Sequence, residues 1–449
     1  MNVVAGITSD MAPPTATAVS RRRPGTSPPL ISRPVLAPWL RAQAINVTRH
    51  AAALRPFKRA EFGPSPAAPT EGHIQAVNTL MESLRTGLID LTGRVTTAAR
   101  EASAEPSSAN LSEVMVRKDR AHNWVQGIEK IWDFYFELFG QRQSYFGDWL
   151  LSCDRIALDC YQVAYIGIGA ARPIPAPPPF CYMRTGFAPA TFRRGIPLTR
   201  LGRQLNPFPL VQLPYHRLVN PWTLGAMLHE TSHNLQSDLG LSRDIPQRVG
   251  RRLLAEGLPQ PVAKTWMRWN REMFADMSAL LLGGPEILGS LMDVVGRAPR
   301  AVFGYSARVP HPTPYLRTLI SVELLRRMGF PIHADRYRKV WTRIYPDPKA
   351  GSIPAALLDT FPRACALAVD EMCFKPYPTL GQKSLAQVLP FGIKEQQMIE
   401  EAAGRLAAGV DPGVIPERFM IGAARFALDN KLARPGMITE NFYKELARR

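Results

Sequence analysis

The chain has 449 residues, 46% of them hydrophobic and 20% charged, which is ample for a large packed core. Its 55 Lys and Arg against 37 Asp and Glu leave a net charge of +18, a balance that favours polyanions, anionic surfaces or acidic partners. No apolar run approaches a membrane span, the five cysteines lack Cys-x-x-Cys spacing or the pattern of a disulfide framework, and no compact nucleic-acid motif is present, so nucleic acid is not expected as a partner.

Residues 1–70 are rich in Pro, Ala, Arg, Ser and Thr, and hold nine basic residues against two acids, Asp10 and Glu61. They read as a disordered basic tail carrying +7 of the +18. No apolar stretch follows the positive start, and Arg21-Arg22-Arg23 runs into prolines, so a secretory signal peptide is not expected. The expectation is cytoplasmic synthesis, which the sparse cysteines suit, with any export following a route without a signal peptide. The tail is then the candidate address for a secretion or delivery machine.

From Glu71 to Ala104, Ile74, Val77, Leu80, Met81, Leu84, Leu88 and Leu91 recur at helical spacing. After a Ser/Pro break, a second helical region runs from Leu111 to Ala164, with aromatic residues such as Trp132, Tyr135 and Phe139 as bundle core. The proline run in Arg172–Pro179 can be neither helix nor central strand and marks a boundary. Phe208–Tyr215 reads as extended, and its prolines suggest a sheet edge. From Pro221 onward the pattern predicts helices over 221–238, 264–282, 286–296, 313–328, 334–344, 354–373, 394–408, 416–429 and 438–447.

The chemistry-bearing segment is Asn220–Gly240, read as a helix with Asn220 as N-cap, Pro221 at the first helical position and Gly240 at the end. Such a helix sets His229 and His233 one turn apart on one face, where both imidazoles reach a single tetrahedral zinc. Glu230 then lies beside the open fourth position and can take a proton from water and pass it to a leaving amine. A chance His-Glu-x-x-His arises in only about 0.6% of chains of this composition.

Two histidines do not complete a catalytic zinc site, which has three protein ligands and one open position. A second helix, Trp269–Leu282, offers Glu272 and Asp276 four residues apart on one face, and it stops at Gly283-Gly284-Pro285. The two halves, His229-Glu230-Thr231-Ser232-His233 and Glu272-Met273-Phe274-Ala275-Asp276, resemble the gluzincin zinc peptidases, with Glu272 39 positions after His233. The resemblance covers roughly residues 205–330. It implies Glu272 as the third zinc ligand and Asp276 as the carboxylate that orients a ligand histidine. The metzincin pattern fits worse: Gln236 and Leu239 stand where it has Gly and His or Asp, and Asp238 lies one residue off.

An oxyanion also needs a donor. His311, between prolines in the loop before a helix, resembles the His-Pro stretch of some gluzincin-like peptidases; Tyr305, Arg317 and His216 are alternatives. Leu210–Tyr215 is the candidate strand for aligning a peptide by main-chain bonds.

The expected architecture is mainly α (α+β): an N-terminal helical region over 71–171, a zincin-like core over 172–345 with a small edge-strand region, and a C-terminal helical region over 346–449. The expected function is zinc-dependent hydrolysis of a peptide or protein substrate. The competing expectation is a translocated effector or partner-binding protein whose zinc site is structural or vestigial.

Overall fold

A computed structural model describes residues 33–169, 174–186, 188–198 and 203–449. The first 32 residues of the basic tail, and Arg172 and Pro173 of the proline-rich segment, lie outside the described residues.

The remainder of that tail is ordered, contrary to the expectation. Helix α1 (Arg33–Ala53) carries Leu36, Leu40, Ala44, Val47 and Ala51 at three- and four-residue intervals, and all five are buried. The first four pack with Leu91, Val95 and Ala98 of α2 (Glu71–Ala104) and with Val114 and Ala121 of α3 (Ser108–Gly140), and Ala51 joins Leu54 and Phe57 in the neighbouring cluster. Composition alone concealed this stripe, because the intervening positions include Pro38, Arg41, Thr48 and Arg49. Thr70 and Ser107 cap α2 and α3, accepting from the amides of His73 and Asn110 at 3.3 and 3.2 Å. The helical region expected over 111–164 is two helices, α3 and α4 (Gly147–Gly167), broken at Gln141–Phe146.

Three strands follow, β1 (Phe180–Met183), β2 (Ala190–Phe192) and β3 (Leu210–Leu213), in the spatial order β1-β3-β2. β1 is parallel and β2 antiparallel to β3. The segment expected at an edge is therefore the middle strand. Its prolines do not prevent this, because Pro209 and Pro214 flank the paired residues and no ladder donor is lost. The outer amides of β1 bond to Asp154 and Gln141, so the open edge belongs to β2. Buried Arg142 fastens the sheet to α4: it donates to the Cys181 carbonyl at 2.6 Å and pairs with Asp154, which accepts the Cys181 amide at 2.7 Å.

The rest is helical: α5 (Tyr215–Leu218), α6 (Gly225–Asp238), α7 (Leu241–Ala255), α8 (Gln260–Gly283), α9 (Glu286–Val295), α10 (Pro299–Val302), α11 (Pro314–Arg327), α12 (Pro331–Ile344) and α13 (Ala355–Val369). A short hairpin of β4 (Pro376–Tyr377) and β5 (Lys383–Ser384) precedes α14 (Leu385–Val388), α15 (Ile393–Ala407), α16 (Phe419–Asp429) and α17 (Pro435–Arg448). The chain is thus mainly α with a small sheet, as expected, and no helix among the described residues is long and apolar enough to cross a membrane.

Two local readings need correction. Asn220 does not cap a helix at Pro221; residues Pro221–Thr223 form a 3-10 turn, the Asn220 side chain donates to the His216 carbonyl, and α6 starts at Gly225. Glycine is required there, because a Cβ on Gly225 would lie 2.6 Å from Ser290 of α9. Helix α7 was missed although Leu241, Ile245, Val249 and Leu253 form a buried stripe, because four arginines and Pro246 dominate its sequence.

One hydrophobic core runs from Leu150 to Leu446 and includes α4, α6, α8 and the C-terminal helices, so the divisions drawn at residues 171 and 345 do not separate cores. All five cysteines are buried in it or beside it as free thiols.

Glu286, at the start of α9, is only 4% exposed and accepts from Gln396 of α15 at 2.9 Å. Burial, partly offset by the Gln396 bond, raises its carboxyl to about 7 from an ordinary 4.5. The unfolded chain therefore ionises at lower pH than the folded one, and stability falls as pH rises between those values, by roughly 3 kcal/mol in all. Glu286→Gln is expected to flatten that slope in denaturant titrations between pH 4 and 8. For the N-terminal helix, Leu40→Ala is expected to cost about 2–5 kcal/mol in the same measurement; an unchanged midpoint would mean that α1 does not dock.

Candidate metal centre and cleft

Helices α6 and α8 lie antiparallel, since Gln236 near the end of α6 meets Asn270 in the first half of α8 at 3.3 Å, while Leu228 approaches Gly283. Met227, Leu228 and Leu235 on α6, with Met273, Phe274 and Met277 on α8, are buried and hold the pair in register. Both polar faces, the second turn of α6 and the middle of α8, are thereby brought together.

His229, His233 and Glu272 converge. The two Nε2 atoms are 3.1 Å apart, and the Glu272 carboxylate oxygens lie 3.4 Å from His229 and 3.6 Å from His233. A tetrahedral ion with ligand bonds of 2.0–2.1 Å requires donor–donor edges of about 3.3 Å, so the three separations bracket that value. The imidazole planes are nearly perpendicular, at 83°, which lets both lone pairs point to one centre.

Asp276 stands behind His229, with Oδ1 2.8 Å from His229 Nδ1. Arg317, at the start of α11, grips the same carboxylate with Nε at 2.5 Å and Nη2 at 2.7 Å. The bond to Nδ1 leaves Nε2 of His229 turned toward His233 and Glu272. Glu272 and Asp276 are 6% and 5% exposed, so this charge is almost wholly desolvated.

The electrostatics follow. Burial opposes a charge on His229, but the hydrogen bond and charge of Asp276 and the contact with Glu272 outweigh it and raise its pKa to about 9. Burial and then repulsion from His229 lower His233 to about 3. Burial alone would raise Glu272, yet its contacts with His229 and His311 hold it well below the carboxylate range. Burial raises Glu230. Three carboxylates (Glu230, Glu272, Asp276) face one buried guanidinium (Arg317) and two imidazoles, so with neutral imidazoles the site carries two uncompensated negative charges. One divalent cation balances them. The donor set of two nitrogens and one carboxylate suits zinc.

The cluster opens into a cleft of 420 Å³. Glu230 lines it, and its carboxylate makes no hydrogen bond to another described residue. His311 also lines it, 55% exposed, with Nε2 3.1 Å from Glu272 Oε2. The alternatives to His311 fare differently: Arg317 is held by Asp276, and neither Tyr305 nor His216 is among the lining residues. Asp238 bonds to Tyr161 at 2.9 Å, away from the cluster.

Ala188–Thr191, at and before β2, form one wall, and Thr191 accepts from Asn234 of α6 at 2.8 Å. Leu280 with Ile287, Leu291 and Val294 of α9 makes an apolar recess. Sequence reading overlooked β2 and this recess; the spacing of Ile287, Leu291 and Val294 was the available signal.

Comparison with protein families, curated proteins and solved structures finds no match to this chain. Asp276→Asn keeps the shape but removes the charge that orients His229 and balances Arg317. It is expected to weaken zinc binding 10- to 100-fold in a competitive chelator titration. Unchanged affinity would deny Asp276 that role.

Proposed function

We propose that the chain is a zinc-dependent peptidase of gluzincin type, with zinc held by His229, His233 and Glu272 and with Glu230 as general base. The observation that carries this reading is the tetrahedral spacing of the three donors on the floor of an open cleft that also holds Glu230. A structural zinc site is closed by four protein ligands, whereas here the cluster has three donors and faces a cavity large enough for several residues of peptide.

Bound there, zinc supplies Lewis acidity, lowering the pKa of water and polarising a carbonyl. Glu230 takes the proton as the water oxygen bonds to the peptide carbon, and returns it to nitrogen as the C–N bond breaks. Its burial, which raises the pKa of the carboxyl, favours its holding the proton between the two halves of that transfer. His311 donates to the oxygen that gains charge in this reading, which its exposed position 3.1 Å from Glu272 supports. The main chain of an extended peptide pairs with the open edge of β2, and an apolar side chain fills the recess formed by Ile287, Leu291 and Val294.

The test is metal analysis paired with cleavage of a proteome-derived peptide library. Wild type is expected to hold about one zinc per chain and to cleave, and Glu230→Gln to keep the zinc and lose 10²- to 10⁴-fold in rate. His233→Ala is expected to lose the metal. Activity equal to wild type in Glu230→Gln, or zinc-free wild-type protein, would sink the proposal and leave a partner-binding protein with a structural or vestigial site.

A further inference from the structure

The cleft has two chemically different ends. Along α8, Arg271 and Leu280 are nine residues apart, about 13 Å of helix axis, with Glu272 and Asp276 between them. At the Leu280 end lies the apolar recess of α9. At the other end Arg271 is exposed and lines the cleft, close enough to act electrostatically on both Glu230 and His233.

A second guanidinium joins it. Arg193 directly follows β2, and strand alternation puts it on the face of Thr191, whose hydroxyl is bonded to Asn234 of α6. Burial and then repulsion from Arg271 lower the pKa of Arg193 against the pull of Asp238, and Ala190 and Thr191 of the strand it follows line the cleft together with Arg271. Among the described residues, neither guanidinium has an ion pair or a hydrogen bond. The adjacent acid, Asp238, is drawn toward Tyr161, while neighbouring Arg194 donates to the Pro175 and Pro177 carbonyls. Asp238 attracts Arg193 and Glu230 attracts Arg271 without forming an ion pair with either, so the like charges gain further from an anion that joins them.

Resting on the peptidase reading, we propose that the Arg193/Arg271 pair selects substrate: the cleft takes an acidic peptide, with Glu or Asp side chains on one side of the scissile bond and an apolar side chain on the other. A peptide laid along β2 passes the metal centre and reaches both guanidiniums, and a carboxylate there satisfies them by bidentate pairing. The basic excess of the whole chain steers such a substrate toward the cleft.

The test uses the full-length, zinc-loaded Glu230→Gln protein, which binds without turnover, and fluorescein-labelled ten-residue peptides. Each carries a central Ala-Leu pair with three Glu, Gln or Lys residues on its N-terminal or its C-terminal side. The Glu peptide of one polarity is expected to bind at least about tenfold more tightly than its Lys counterpart, and the gap to shrink as salt rises from about 0.05 to 0.5 M. The Arg193→Gln/Arg271→Gln double variant should lose the preference and the Arg193→Lys/Arg271→Lys variant recover most of it; the salt response of the parent protein needs no arginine variant. Equal affinities for Glu, Gln and Lys peptides, or an acidic preference that survives the double Gln variant, would overturn the assignment. So would a polyuridine oligomer that displaces the Glu peptide through the same two arginines. Wild type that cleaves peptides without acidic preference removes this inference and leaves the peptidase. Acidic peptides bound through the arginines but never cleaved remove the peptidase and leave the recognition.

Discussion

The carboxylate of Asp276 is the point on which the site turns. It accepts from His229 on α6 and from two nitrogens of Arg317 on α11, while its own backbone belongs to α8. Three helices distant in sequence are thus joined through one buried anion. Removing any partner would leave a desolvated charge without compensation, which costs several kcal/mol. Burying so many ionised groups is a poor device for stability, since apolar residues of similar volume do as well or better. What the arrangement provides is orientation: the ring of His229 cannot turn without breaking the bond at Nδ1.

The surroundings serve that orientation at longer range. The apolar faces of α6 and α8 set their antiparallel register, so that the turn bearing His229 and His233 meets Glu272. Gly225 allows α9 to approach α6 closely and bring its apolar face to the mouth of the cleft. The sheet lies across from α9, and Asn234 ties β2 to α6 through Thr191. The cleft is polar in its floor, apolar at one end and cationic at the other because four separate elements each contribute one wall.

The local code for the donors was legible before any fold was known. Histidines four residues apart share a helical face whatever surrounds them, and so do Glu272 and Asp276. Helices α2, α8, α9 and α11–α13 were readable for the same reason: their periodicity is local, and Pro or Gly punctuates their ends. Elements whose apolar stripe is diluted were not. In α1 and α7, Arg and Pro mask the buried positions, and α7 docks through one narrow face.

The sequence by itself determined the residue types of the candidate centre, their pairing on two helices and the mainly helical class, because each depends on spacing within a single element. Only the tertiary structure decided that His229, His233 and Glu272 meet at tetrahedral distances and that Arg317 clamps Asp276. It alone placed β3 in the middle of its sheet, left β2 as the open edge, and brought Ala190, Thr191 and Arg271 to one cleft. Those facts rest on contacts between residues tens to hundreds of positions apart, and strand order and side-chain convergence leave no periodicity in the chain to read.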